Sequence, residues 1–127
     1  MEQARLIVID DDITFGYLIA EIVNLLDLDV DIVTSVKQFH QLYKQHSYDI
    51  VTTDISMPDK DGIEFINDLA ALNCQAAVIL ISGKDASLLH GAEKLAQRKG
   101  LNLIATLQKP IDFDEFEDLI GNCIAST

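Results

Sequence analysis

The chain has 127 residues, 49% of them hydrophobic, enough for one domain with a real core and too many for intrinsic disorder. Nine Lys and Arg stand against 21 Asp and Glu, a formal charge of −12, and such a surface repels phosphate backbones and argues against direct contact with nucleic acid or anionic lipid. The apolar runs are far shorter than the ~20 residues a membrane-spanning helix needs, and the opening Met-Glu-Gln-Ala-Arg stretch is too short for a signal peptide. A single cytoplasmic domain over residues 1–127 is the expectation.

In chain order, the first apolar run is Leu6 to Ile9, read as a strand. Phe15, Leu18, Ile19, Ile22 and Leu26 then fall on one helical stripe. A second strand follows at Val30 to Val33, interrupted by Asp31, and a second stripe at Val36, Phe39, Leu42 and Tyr43. Ile50 to Val51 starts a third strand, with Phe65, Leu69 and Leu72 as the helix after it. Ala76 to Ile81 and Leu103 to Leu107 are the fourth and fifth, separated by a helix carrying Leu88, Ala92, Leu95 and Ala96. The last helix opens with Asp112-x-x-Glu115, an N-cap and its capping partner, and displays Phe113, Phe116, Leu119, Ile120, Cys123 and Ile124. Strands that are apolar at consecutive positions suit a parallel sheet covered on both faces. The βα alternation implies right-handed crossovers and an open, doubly wound α/β sheet. Cys74 and Cys123 lie in apolar surroundings and read as small, unpaired thiols.

In such a sheet, ligands bind beyond the carboxyl ends of the strands. The residues delivered there are Asp10-Asp11-Asp12, Asp54, Ser82-Gly83 and Lys109-Pro110. Carboxylates converging from two strand ends repel one another and call for a cation. Oxygen donors without His or Cys select a hard ion, Mg²⁺ or Mn²⁺. Lys109 adds an ammonium and Ser82 a hydroxyl. That set suits a phosphoryl group with charge on its peripheral oxygens, and a carboxylate there can itself be the nucleophile. Taken singly, each element has a plainer explanation; Asp12 in particular reads as the N-cap of the first helix.

Taken together, the motifs Ile9-Asp10-Asp11-Asp12, Asp54-Ile55-Ser56-Met57-Pro58-Asp59-Lys60-Asp61-Gly62, Ile81-Ser82-Gly83 and Lys109-Pro110 resemble the receiver domains of two-component response regulators, over Leu6 to about Ile124. The resemblance implies a flavodoxin-like (βα)5 three-layer sandwich with a parallel five-stranded sheet in the order 2-1-3-4-5. It implies that Asp54 accepts phosphoryl from the phosphohistidine of a sensor histidine kinase or a histidine phosphotransfer protein. Asp10, Asp11, Asp54 and the backbone carbonyl of Ser56 would hold the metal, and Ser82 and Lys109 would contact the phosphoryl group. A cis bond before Pro110 and a tight turn at Gly62 are further implications.

Thr106 stands where such domains carry Tyr or Phe, so the usual aromatic readout of the switch is missing. Lys84, two residues after Ser82, stands where attacking water must approach, and reads either as lying over the phosphoryl oxygens and slowing hydrolysis or as pointing to solvent. The pattern Leu95-Ala96, Gly100-Leu101 and Leu107-x-Lys109-Pro110-Ile111 resembles receivers fused to cyclic-di-GMP phosphodiesterase (EAL) domains, one form that the output partner or fused output domain could take. Basic Lys94, Arg98 and Lys99 before the fifth strand, and acidic Asp112, Asp114, Glu115, Glu117 and Asp118 after it, read as solvated faces or as a surface for a partner or a homodimer. His40, His46 and His90 show no ligand spacing and read as surface residues. The competing reading is a small Mg²⁺-dependent phosphohydrolase with a strand-1 Asp nucleophile, since Asp10-Asp11-Asp12 contains an Asp-x-Asp; it leaves Asp54 unexplained.

Overall fold

The computed structural model describes residues 3–56, 62–83 and 86–125. Strands and helices alternate: β1 (Arg5–Ile9), α1 (Ile13–Asn24), β2 (Asp29–Val33), α2 (Val36–Tyr43), β3 (Ile50–Asp54), α3 (Gly62–Ala71), β4 (Ala77–Ser82), α4 (Ala86–Arg98), β5 (Asn102–Gln108) and α5 (Phe113–Ala125). The strands form one parallel sheet in the order β2-β1-β3-β4-β5, the doubly wound arrangement expected from the sequence.

Alternating side chains of the central strands build two cores. Ile7, Ile9, Val51, Val78 and Leu80 face Phe39, Phe65, Ile66, Leu69, Ala92 and Ala96 of α2, α3 and α4. Leu6, Val8, Ile50, Ile79 and Ile81 face Phe15, Ile19, Ile22, Phe116 and Ile120 of α1 and α5. Burial on both faces explains why these strands read as continuous apolar runs. Β3 runs longer than its apolar signal, because buried Thr52 and Thr53 carry it to Asp54.

Three residues of the expected helical stripes lie outside the core. Leu18 is 40% exposed, Leu72 38% and Phe113 46%. The buried arc of α1 is Phe15, Ile19, Ile22 and Val23, and Leu18 stands on its shoulder. Leu72 follows the last residue of α3, and Phe113 opens α5 ahead of its first buried residue, Phe116. In β5, Leu103 pairs with Val78 and Ala105 with Ile79, leaving Ile104 as an extra residue. This bulge turns Ile104 and Ala105 toward the same core and resets the alternation before Thr106.

At the amino ends of the strands, Arg5 binds Asp31 at 3.2 Å and approaches Asp29 at 3.8 Å. The Tyr48 hydroxyl donates to Asp31 at 2.6 Å, and the Arg5 N–H donates to Asp49 at 2.9 Å. Asp31, the charge that interrupts the second apolar run, is thus satisfied by an edge network. Cys74 is buried and Cys123 half-buried, both as free thiols. His46 and His90 are exposed, whereas His40 is half-buried, with Asp68 of α3 at 3.5 Å.

Gly62 serves close packing rather than a left-handed turn: a Cβ there would lie 2.5 Å from Ile55 Cβ and 2.6 Å from its carbonyl oxygen. Gly62→Ala must push α3 off the end of β3, and should lower unfolding stability by about 1–3 kcal/mol in urea titration. Gly91 on α4 meets nothing within 4 Å, so Gly91→Ala should leave stability unchanged or raise it by up to ~1 kcal/mol.

Candidate active site

The carboxyl ends of β1, β3, β4 and β5 bring the sequence-singled residues to one edge. Asp10 follows β1, Asp54 closes β3, Ser82 closes β4 and Lys109 follows β5. Backbone hydrogen bonds carry the sheet up to this rim: Asp10 N–H to the Val33 carbonyl at 3.1 Å, Ile55 N–H to Ile81 at 2.9 Å, and Lys109 N–H to Ser82 at 2.9 Å. The Lys109–Pro110 peptide bond is cis.

Asp10, Asp11 and Asp54 each place a carboxylate oxygen within 4.8 Å of the others. Asp10 and Asp54 are buried, and Asp11 is exposed. Lys109 Nζ lies 2.9 Å from Asp10 Oδ2 and 3.4 Å from Asp54 Oδ2. The opposite oxygens are held by the backbone, Asp10 Oδ1 by the Asp12 N–H at 2.9 Å and Asp54 Oδ1 by the Ser56 N–H at 2.8 Å. Burial pushes the Asp10 carboxyl above the ordinary range; Lys109 and the Asp12 N–H oppose it, and the Asp54 charge adds to it. Burial alone would lower the Lys109 ammonium, but Asp10 and Asp54 outweigh it and hold it raised.

Asp12 turns away to cap α1, its side chain accepting from the N–H groups of Thr14 and Phe15, as expected. Asp112 likewise accepts from the Glu115 N–H at 3.0 Å. Ser82 is fully buried, Ser56 exposed, and Thr106 half-buried in β5 opposite Leu80. Lys84 and the Met57 to Asp61 part of the motif lie outside the described residues. One participant was not singled out from sequence: Phe15, whose ring centroid lies 4.2 Å from Lys109 Nζ. It read only as a core residue of α1; its place one turn beyond the Asp10-Asp11-Asp12 segment was the available signal.

Three carboxylates, two of them sharing one ammonium, form an electron-rich pocket that a hard dication fits. Asp54 is a carboxylate fixed at both oxygens, at the mouth of a sheet, poised for nucleophilic chemistry.

A family model described as the response regulator receiver domain matches residues 6–121. The chain is 32% identical over 116 residues to the sensor protein EvgS of Escherichia coli O157:H7, covering 89% of this chain and 9% of EvgS. It is 32% identical over 89 residues to the transcriptional regulatory protein HptR of Staphylococcus aureus, covering 65% of this chain and 30% of HptR. The chain thus spans less than a third of either relative. The crystal structure of a response regulator from Colwellia psychrerythraea superposes with a TM-score of 0.79 at 34% identity, over 98% of this chain and 99% of that one.

Lys109 pairs with Asp10 and Asp54, so Asp11 gains least from it while sharing the crowding. Asp11→Asn should therefore raise stability by about 1 kcal/mol in metal-free buffer, measured as a shift of the urea midpoint with EDTA present. A midpoint that falls would mean that Asp11 is not under repulsion.

Proposed function

Because the chain belongs to the response regulator receiver family of two-component signalling, we propose that Asp54 accepts the phosphoryl group and that residues 1–127 act as one phosphorylation-controlled module. The observation that carries this reading is the Lys109 ammonium held between the Asp10 and Asp54 carboxylates at the sheet's carboxyl edge. An Asp54 oxygen attacks phosphorus, the P–N bond of a phosphohistidine breaks, and the imidazole leaves with its nitrogen lone pair and takes up a proton. The product is a mixed anhydride whose peripheral oxygens need cationic and donor partners, the roles assigned to Lys109 and Ser82.

Asp10, Asp11, Asp54 and the Ser56 carbonyl would hold Mg²⁺, with Mn²⁺ as a substitute. When bound, the ion offsets the carboxylate repulsion and the charge on the transferred group. All the donors are oxygen, which fits a hard ion.

The donor partner is a sensor histidine kinase or a histidine phosphotransfer protein in the cytoplasm. Next to the site, α1 exposes Ile13, Tyr17 and Leu18, with Leu25 exposed just past its far end, and α5 exposes Phe113. Leu18, Leu25 and Phe113 share one shallow hollow, and an apolar patch with an acidic surround suits a helical partner with a basic rim. No helix among the described residues is long and apolar enough to cross a membrane. The output is read by a partner, a second copy or a further domain such as a cyclic-di-GMP phosphodiesterase, and with Thr106 in place of an aromatic it does not depend on a swinging ring. The phosphohydrolase alternative is disfavoured, because Asp12, the second member of its Asp-x-Asp, is engaged as the cap of α1.

Acetyl phosphate with Mg²⁺ should place one base-labile phosphoryl group on each chain. Asp54→Asn should abolish it, and Asp11→Asn should weaken labelling and Mg²⁺ binding together. Normal label on Asp54→Asn would move the nucleophile elsewhere. For the partner surface, Leu18→Glu should slow transfer from a phosphohistidine donor at least about tenfold, equivalent to ~1.4 kcal/mol, while leaving acetyl phosphate labelling within about twofold. Equal loss with both donors would show damage to the site rather than to docking.

A further inference from the structure

The ammonium of Lys109 is held from three directions, and carboxylates account for only two. Asp10 and Asp54 take it at 2.9 and 3.4 Å. On the remaining side lies the Phe15 ring, with its centroid 4.2 Å from Nζ. A cation at that separation is attracted by the ring quadrupole, and more strongly where water is displaced.

The ring is itself tied to the site's backbone. The Phe15 N–H donates to Asp12 Oδ1 at 3.4 Å, and the Asp12 N–H donates to Asp10 Oδ1 at 2.9 Å. Asp10 then returns to Lys109, closing a circuit through one short segment. Phe15 is 9% exposed and packs into the α1/α5 core, so the ring has a fixed seat. The lysine stem, by contrast, is four flexible carbons.

We propose that Phe15 is a positioning residue for the phosphoryl transfer: its ring holds the Lys109 ammonium in the pocket while the carboxylate partners change. This rests on the reading of Asp54 as acceptor. Once Asp54 carries the phosphoryl group as a mixed anhydride its charge pattern alters and Lys109 must turn toward phosphoryl oxygens. A hydrogen bond to a carboxylate is directional and must break for that movement. The π face is broad and attracts a cation across its width, so it stays engaged as the ammonium shifts. Leucine or methionine fills similar space without the quadrupole.

The test compares Phe15→Leu and Phe15→Met with Phe15→Tyr in the full chain. Nuclear magnetic resonance should show the Lys109 ε-methylene protons displaced upfield by the ring current in the wild type and in Phe15→Tyr, and returned to ordinary values in Phe15→Leu. With saturating Mg²⁺, acetyl phosphate labelling should slow about 3–10-fold in Phe15→Leu and be largely rescued by Phe15→Tyr. Urea titration checks that the variants are folded, and Phe15→Met serves if the leucine variant is not. Wild-type labelling in the aliphatic variants, equal loss in Phe15→Tyr, or undisplaced Lys109 resonances in the wild type would each overturn the proposal. Asp54→Asn runs in the same assay: label retained there refutes the acceptor reading, while the resonance shift still decides whether the ring holds the lysine.

Discussion

One ammonium between two buried carboxylates is the constraint on which this architecture turns. Lys109 meets Asp10 and Asp54 across 99 and 55 residues of sequence. Bringing them together requires the carboxyl ends of β1, β3 and β5 on one rim. The parallel sheet does this by construction, since every strand runs in the same direction and every crossover returns the chain to the opposite edge. The order β2-β1-β3-β4-β5 places the two carboxylate-bearing strands side by side where the winding reverses, and a crevice opens at such a point. Fold and site are thus one solution: two apolar cores finance the burial of charges that would not assemble without them.

Much of this was legible in the residues. Apolar runs such as Ala76 to Ile81 carry the two-sided burial of a central strand in their composition, and the polar residues Asp10 and Ser82 that end the first and fourth runs mark the rim, whereas in β3 buried Thr52 and Thr53 precede it. Asp12 and Asp112 announced helix starts, because a short carboxylate before a helix meets unpaired N–H groups. The exposures of Leu18 and Phe113 were not legible: a helical stripe gives the apolar arc but not its edges, which depend on where the neighbouring elements stop. The Ile104 bulge was hidden because Leu103 to Ala105 is apolar at consecutive positions, so the pattern holds no mark there of which face each residue takes. Nor was Phe15's second role visible, since a buried aromatic looks the same whether it touches leucine or an ammonium.

The site is also asymmetric in how its charges are held. Asp10 and Asp54 each have one oxygen fixed by a backbone N–H and one by a side chain. The backbone half is rigid and orients the carboxylate. The side-chain half depends on a flexible lysine and can be exchanged for another partner. A site held only by backbone would be well ordered and inert; one held only by side chains would lack aim.

The network around Arg5, Asp31, Tyr48 and Asp49 ties β1 and β2 to the segment that enters β3, at the end of the sheet away from Asp54. The sheet is therefore tied by side chains at both ends, by this network at one and by Lys109 with Asp10 and Asp54 at the other. Amide protons of the buried central strands between these two ties should be among the slowest to exchange, released only when the whole domain unfolds.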